Sequence, residues 1–275
     1  MTPRFQNISG LRLHYLDYGG ADRPPLLCLH GLSGNAHNFD YLAPHLTSRF
    51  HVLALDVRGR GDSAWGPPAD YNAAVYVRDL AALLDALDLP RVALVGTSMG
   101  GIISMMFAGG YPDRVERLVL NDIGPEIDPA GLRRIAAYME TAPESFANLA
   151  EVTAYYRANY EALTHAPEKE LSEFVQWSVR LRADGRLEWK LDPAIRNPPR
   201  GGSAARPMDL WVHYNRITAP ILVVRGAESD ILARATAERM RVVQRRTTIV
   251  EVPGVGHAPS LNEPEALAAI MQFLA

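Results

Sequence analysis

Short, uninterrupted apolar runs separated by helix-type patterns constrain this chain more than any other feature. A short apolar run bounded by turn signals is typical of a strand that is buried on both faces of a sheet. Between the second and third runs, apolar residues recur every three or four positions, which indicates one face of a helix. Strands that alternate with helices connect by right-handed crossovers, so the sequence predicts an α/β fold with a largely parallel sheet covered on both faces. The four runs lie at residues 25–30, 52–56, 92–96 and 118–122.

This alternation stops after Pro125 and resumes at Ile221. The residues from 126 to about 192 are rich in Tyr and Trp, and their patterns predict helices without a convincing strand. The breaker cluster at residues 197–203 predicts a loop. We therefore expect a helical cap inserted into the core fold, lying over one end of the sheet. The predicted division is 1–125 and 208–275 for the α/β core, and 126–207 for the cap.

Charge and composition exclude several classes of function. A net charge of −3 over 275 residues gives no indication of a nucleic-acid partner. Cys28 is the one cysteine, which excludes an internal disulfide and a multi-cysteine metal site. The N-terminal residues lack the apolar segment of a signal peptide, and no apolar run reaches the ~18 residues that a membrane span needs. We expect a cytoplasmic protein that acts on a small molecule, and the sequence leaves open whether it forms a homodimer.

The strongest chemical signal is the G-x-S-x-G motif at residues 96–100, which is centred on Ser98. The motif follows a buried run and precedes a helical one, and this strand–turn–helix context is that of a nucleophile elbow. Such a turn strains the serine backbone, so small residues must flank it. The turn also puts the hydroxyl at a helix N-terminus, which favours developing negative charge. Ser98 is therefore the predicted nucleophile.

A serine hydroxyl needs a base, and among the eight histidines His257 has the most suitable context. It follows the last predicted strand, and Gly256 before it lets the loop return over the sheet. The imidazole needs a carboxylate that fixes its tautomer. Asp230 and Asp122 both follow predicted strands, and either keeps the order Ser, Asp, His along the chain. We prefer Asp230 as the acid, with Asp122 as the alternative.

The oxyanion formed on attack needs hydrogen-bond donors, each worth on the order of 10²–10³ in rate. One predicted donor is the backbone N–H of Met99, the residue directly after the nucleophile. The other should come from the loop after the strand that ends at His30, and we assign it to Leu32. His30 itself is interpreted as a residue that braces this loop.

Taken together, these motifs resemble the α/β-hydrolase superfamily over essentially the whole chain. The resemblance implies an eight-stranded sheet whose first strands are antiparallel, with a helical cap inserted after the sixth strand. It also implies the same nucleophile, oxyanion donors and base that the residues themselves indicate. The matching segments are His30–Gly31, Asp56–Ser63, Gly96–Gly101 and Gly256–His257.

The chain departs from the family pattern at the acid. In the family the acid commonly lies three residues after a strand-ending glycine, but Ser229 stands there and Asp230 follows one position later. Some members instead draw the acid from the end of the sixth strand, where Asp122 lies. Both carboxylates therefore stay open at this point.

The expected activity is hydrolysis of a carboxylic ester or a lactone through an acyl-enzyme on Ser98, with no cofactor and no metal ion. One alternative is carbon–carbon bond hydrolysis in the same superfamily, although Ala258 stands where such enzymes often carry a bulky aromatic residue. The other alternative is a ligand-binding receptor on a catalytically idle scaffold. The presence of Ser98, His257 and two candidate acids argues against the receptor.

Overall fold

The computed structural model describes residues 1–160, 168–196 and 209–275. An eight-stranded sheet runs through the middle of the protein. Its strands are β1 (Thr2–Ile8), β2 (Leu11–Gly19), β3 (Pro25–Leu29), β4 (His51–Leu55), β5 (Val92–Thr97), β6 (Val115–Asn121), β10 (Ile221–Gly226) and β11 (Thr247–Val252). They lie side by side in the order β1-β2-β4-β3-β5-β6-β10-β11.

The direction of the strands confirms the predicted α/β class. β2 is antiparallel to both of its neighbours, β1 and β4, and every later pair in the sheet is parallel. The four apolar runs of the sequence form β3, β4, β5 and β6. These strands are almost completely buried because helices cover both faces of the sheet.

Two separate hydrophobic cores hold the helices on the sheet. On one face, α2, α3, α8 and α9 pack through residues such as Leu84, Phe107 and Tyr214. On the other face, α1 and α10 pack through residues such as Leu42 and Ile270. Among the described residues, no helix is both long enough and apolar enough to cross a bilayer. The helices of this core are α1 (Leu42–Leu46), α2 (Ala73–Ala86), α3 (Met99–Gly110), α8 (Trp211–Tyr214), α9 (Arg234–Val243) and α10 (Pro264–Phe273).

The segment after β6 forms a structure with its own small core, and we call the described residues 128–160 and 168–196 the insertion. Phe146, Tyr156, Val175 and Trp189 are buried together there. The insertion also contains a three-stranded sheet in the order β7-β9-β8, so the expectation that this region lacks strands was wrong. Its elements are α4 (Pro129–Thr141), β7 (Ser145–Phe146), α5 (Leu149–Asn159), α6 (Glu168–Ser178), β8 (Val179–Leu181), β9 (Leu187–Trp189) and α7 (Pro193–Arg196).

A tight turn explains the missed strands. β8 and β9 form a hairpin that turns at Gly185, whose φ is +81°, and Gly185 N–H donates to the carbonyl of Arg182. The pair Asp184-Gly185 is a hairpin signal, but the strands beside it are too short to show alternation. The predicted loop at residues 197–203 lies outside the described residues, and so do residues 161–167 of the predicted cap.

The carboxyl ends of the parallel strands meet at one edge of the sheet, and the predicted site lies there. Ser98 directly follows β5, Asp122 directly follows β6, and His257 lies in the loop after β11. Because β5, β6, β10 and β11 are parallel neighbours, their carboxyl ends are adjacent in space although they are far apart in sequence.

Candidate active site

Ser98 occupies a strained turn between β5 and α3, as the motif predicts. Its φ is +51° and its ψ is −115°, a conformation that non-glycine residues rarely adopt. The strained backbone is held on both sides, because Ser98 N–H donates to the carbonyl of Asn121 and its own carbonyl accepts from Ile102 N–H. The turn therefore presents the hydroxyl at the N-terminus of α3, above the edge of the sheet.

The glycines of the motif are required by close backbone contacts. A Cβ atom added to Gly100 would lie 2.0 Å from the carbonyl oxygen of Leu29, and one added to Gly96 would lie 2.5 Å from the carbonyl oxygen of Gly100. Both contacts are with backbone atoms, which cannot rotate away. The turn can thus form only where the chain has no side chain at these positions.

Ser98, His257 and one carboxylate form a continuous hydrogen-bonded chain. Nε2 of His257 lies 2.9 Å from Oγ of Ser98. Nδ1 of the same ring lies 2.7 Å from Oδ2 of Asp122. The Asp122 side chain is completely buried, and the His257 side chain is 7% exposed. In this arrangement Nδ1 carries the proton toward the carboxylate, which leaves Nε2 free to accept the serine proton.

Asp122 is tied into the sheet at several atoms. Its φ is +53°, and its N–H donates to the carbonyl of Val224 in β10. Oδ1 accepts from Gly226 N–H at 2.9 Å, and Oδ2 accepts from the hydroxyl of Ser229 at 2.6 Å as well as from His257. The carboxylate is thus held by the backbone of β10, by the loop after β10 and by His257.

Asp230 is engaged elsewhere, which corrects our preference for it as the partner of His257. Its carboxylate oxygens accept hydrogen bonds from Nε and Nη2 of Arg134, at 2.6 and 2.7 Å. These bonds lower the pKa of Asp230 and join α4 of the insertion to the core. The reason lies in the direction of neighbouring side chains: Ser229 faces Asp122, and Asp230 faces the insertion.

Hydrogen bonds from His30 and Gly34 brace the loop after β3. Nε2 of the buried His30 accepts from Val57 N–H, so the ring proton is on Nδ1 and donates to the carbonyl of Gly31 at 2.7 Å. Gly34 N–H donates to the same carbonyl. A trans peptide holds its N–H opposite its C=O, so these bonds direct Leu32 N–H away from the loop interior. His30 thus braces this loop.

A buried arginine holds the next peptide of that loop. Nε of Arg60 donates to the carbonyl of Leu32 at 2.6 Å, and Nη1 donates to the carbonyl of Arg58 at 2.9 Å. The Arg60 guanidinium also lies over the ring of Tyr76. Burial lowers the pKa of Arg60, and hydrogen bonding to carbonyl oxygens satisfies the buried cation.

A cavity of about 190 Å³ opens beside Ser98 and His257. Its walls come from both parts of the protein: the loop after β3 and the loop after β11 on the core side, and residues of α4, of α6 and of the end of α5 on the insertion side. The insertion contributes Ile135, Tyr138, Tyr160 and Phe174. A reacting group bound here would contact the nucleophile and apolar side chains at once.

Three hydroxyl groups lie together in this mostly apolar wall, and we call Ser33, Tyr138 and Tyr160 the hydroxyl cluster. The phenol of Tyr160 donates to Oγ of Ser33 at 2.8 Å, and the phenol of Tyr138 contacts both. Burial raises the pKa of Tyr138 and the pKa of Tyr160, so both phenols remain protonated at neutral pH. The cavity that contains Ser98 therefore has neutral polar groups in its wall.

Comparison with known proteins decides the family. The family model described as alpha/beta hydrolase fold matches residues 24–264. The chain belongs to the α/β-hydrolase family.

Known α/β hydrolases resemble the chain over nearly its full length. A 3-hydroxybutyrate-oligomer hydrolase of Cupriavidus necator is 38% identical in an alignment that covers 95% of this chain and 92% of that protein. A 2-(acetamidomethylene)succinate hydrolase of Mesorhizobium japonicum is 30% identical, spanning 91% of this chain and 88% of that protein. The crystal structure of an α/β hydrolase from Novosphingobium aromaticivorans superposes with a TM-score of 0.89 at 35% identity, covering 99% of this chain and 97% of that one.

The segment Asp56–Ser63 of this α/β hydrolase, which has the pattern D-x-R-G-x-G-x-S, is held in place by hydrogen bonds to Asp56. Oδ1 of Asp56 accepts from Ala36 N–H at 2.6 Å, and Oδ2 accepts from Nδ1 of His14 and from Asp62 N–H. Burial by itself would raise the pKa of Asp56, but these bonds and the nearby His30 lower it.

His14, Asp56 and Asp62 are spaced as three metal ligands would be, yet protein donors already use both oxygens of Asp56. Lys190 also pairs with Asp62.

Two features of this hydrolase site could not be predicted from the sequence. The sequence places Ser229 where the family commonly has its acid, but it does not indicate the bond from Ser229 to Asp122. The hydroxyl cluster had no sequence signal, because Ser33 lies more than a hundred residues from Tyr138 and from Tyr160.

Proposed function

We propose that this α/β hydrolase is a serine hydrolase that cleaves a carboxylic ester or a lactone through an acyl-enzyme on Ser98. The observation that carries the proposal is the hydrogen-bonded chain from Ser98 through His257 to Asp122 at the wall of a cavity. In this proposal Asp122 is the acid of the triad. The insertion acts as a cap, since it supplies one wall of the cavity.

The reaction follows from the positions of the protons. Nε2 of His257 takes the proton of Ser98 as Oγ attacks the carbonyl carbon, and the Asp122 carboxylate stabilises the resulting imidazolium. The N–H groups of Leu32 and Met99 donate to the tetrahedral oxyanion. His257 then protonates the leaving alcohol, which leaves the acyl group on Ser98. Water, deprotonated by His257, releases the acid and restores the serine.

The size and lining of the cavity favour one class of substrate, an ester whose acyl chain is short and carries oxygen atoms. Its volume of about 190 Å³ fits a short chain, and its described lining contains no Lys or Arg that would pair with a carboxylate. The hydroxyl cluster places polar oxygen atoms in this mostly apolar wall, and its members could exchange a bond within the cluster for one to a neutral substrate oxygen. The C. necator relative is named for 3-hydroxybutyrate oligomers, which are oligoesters of this kind. We therefore propose short hydroxyacyl esters as substrates.

A fluorophosphonate probe tests the proposal directly. The probe should label the wild-type protein at one site and should not label Ser98→Ala. Ser260→Ala is the matched control, because Ser260 lies at the same cavity but contacts Glu263 instead of His257. A folded wild-type protein that neither takes the label nor hydrolyses a nitrophenyl ester would favour a non-catalytic receptor.

A second candidate function is hydrolysis of a carbon–carbon bond. The M. japonicum relative supports this alternative, because it is named for a substituted succinate and not for an oligoester. Comparing the turnover of a nitrophenyl ester with that of a dienoic ring-fission product separates ester cleavage from carbon–carbon cleavage. The ester should be turned over faster by at least tenfold, and the reverse order would select the carbon–carbon hydrolase.

A further inference from the structure

Ser229 makes a contact that the mechanism above does not use. It lies in the loop after β10, three residues beyond Gly226, and its N–H donates to the carbonyl of Gly226. Its Oγ lies 2.6 Å from Oδ2 of Asp122. The distance is short for a hydrogen bond between a neutral hydroxyl and a carbonyl, and it is typical of a hydroxyl on a charged carboxylate.

The surrounding donors decide where the serine proton points. Oγ of Ser229 accepts from Ile231 N–H at 3.2 Å and from Leu232 N–H at 3.0 Å. These two bonds use the lone pairs of the hydroxyl oxygen, so its proton is directed toward Asp122. The serine is thus fixed by its own loop, and it cannot turn its proton elsewhere without leaving two N–H groups unpaired.

The hydroxyl donates to the same carboxylate oxygen that accepts the hydrogen bond from the imidazole. Oδ2 of Asp122 accepts from Ser229 and from His257, whereas Oδ1 accepts from Gly226 N–H. With one donor fixed in the backbone and another fixed in the loop, the carboxylate plane cannot rotate about its Cβ–Cγ bond. Oδ2 then remains at 2.7 Å from Nδ1 of His257.

We propose that Ser229 is a positioning residue of the triad, whose hydroxyl holds the Asp122 carboxylate in the orientation that accepts the hydrogen bond from Nδ1–H of His257. The inference rests on the proposed function, because it assigns Ser229 a role in the same reaction. Ser229 does not touch the substrate in this proposal, so its effect passes through Asp122. The adjacent Asp230, which contacts Arg134, has no such role.

A double-mutant cycle tests this role. Ser229→Ala should lower kcat for a nitrophenyl ester by about tenfold with KM changed by less than about twofold, because one hydrogen bond to a charged group is lost. In the Asp122→Asn background, the same substitution should change kcat by less than about twofold, since its target is already disabled. Ser229→Thr, which keeps the hydroxyl, should retain most of the activity.

The outcomes separate this inference from the proposed function. If wild-type protein and Ser229→Ala have equal kcat while both are labelled at Ser98, the serine hydrolase stands and the positioning role is overturned. If Ser229→Ala loses the same factor in the Asp122→Asn background, the loss does not pass through Asp122, and the role is again overturned. If the wild type is neither labelled nor active, the proposed function itself fails. Thermal unfolding of each variant establishes that it is folded.

Discussion

At the scale of single residues, the site depends on which of two nearby carboxylates touches the imidazole. Asp122 is completely buried and contacts His257, whereas the Asp230 side chain is 31% exposed and contacts Arg134. A buried carboxylate hydrogen-bonded to an imidazole stabilises the imidazolium that forms during attack. A partly exposed carboxylate that is paired with Arg134 acts on the imidazole only through space, so its effect is much weaker. The two residues should therefore differ sharply when each is replaced by its amide.

Asp122→Asn should lower kcat for a nitrophenyl ester by about 10⁴-fold, because the amide stabilises the wrong tautomer of His257. Asp230→Asn, the matched control, should lower it by less than about tenfold. Steady-state kinetics on both purified variants measures the difference. Equal losses in the two variants, or a larger loss for Asp230→Asn, would contradict the assignment of Asp122 as the acid.

At the scale of elements, the elbow between β5 and α3 depends on backbone contacts that only glycine permits. Gly100 and Gly110 lie at opposite ends of the same helix, α3, but their surroundings differ. A Cβ on Gly100 would collide with the Leu29 carbonyl, whereas one on Gly110 would meet nothing within 4 Å. Replacing Gly100 therefore tests the close backbone contact, whereas replacing Gly110 measures only the general effect of glycine on helix stability.

Gly100→Ala should destabilise the protein by about 3 kcal/mol or more, since the backbone of β3 would have to move. Gly110→Ala should be neutral or stabilising by up to about 1 kcal/mol, because alanine favours the helix. Urea unfolding followed by circular dichroism measures both. A Gly100→Ala variant as stable as the wild type would show that the elbow can relax.

The contact between the insertion and the core should determine which acyl groups the cavity accepts. Tyr138→Phe removes one donor of the hydroxyl cluster but keeps the ring. We expect the ratio of kcat/KM for a hydroxyacyl ester over a plain acyl ester of equal length to fall by about three- to tenfold. Tyr111→Phe, on the surface after α3, is the control and should leave the ratio unchanged. An unchanged ratio in Tyr138→Phe would remove the cluster from substrate recognition.

At the scale of the whole molecule, one buried histidine should make stability depend on pH. Burial lowers the pKa of His30 to about 4, and the unfolded chain returns it to its ordinary value near 6.5. Between these values the unfolded state binds more protons, so stability falls as the pH drops through this range. The carboxylate of Asp56, whose pKa is lowered on folding, contributes stability that is lost only at more acidic pH.

The free energy of unfolding should therefore be about 2 kcal/mol lower at pH 5 than at pH 7.5 on account of His30. Urea titrations at the two pH values measure this difference. His30→Asn cannot take up the proton and should lose less stability over the same interval, although it starts from a lower value. If the variant and the wild type lose equal stability, His30 does not carry the pH dependence.

The sequence by itself determined the features that depend on neighbours along the chain. Uninterrupted apolar runs predict strands buried on both faces, and the glycines around Ser98 predict a tight turn, because burial and backbone sterics act on local sequence. The placement of His257 after the last strand followed from the same pattern. The hairpin of β8 and β9 was missed because its strands are too short for their alternation to appear.

Only the tertiary structure decided between Asp122 and Asp230, since both follow strands that end at the same edge of the sheet. The choice depends on which way each side chain points, and that direction is determined by the packing of loops from distant parts of the chain. The hydroxyl cluster and the bond from Ser229 to Asp122 have the same origin. Contacts between residues far apart in sequence arise from three-dimensional packing, which local patterns do not encode.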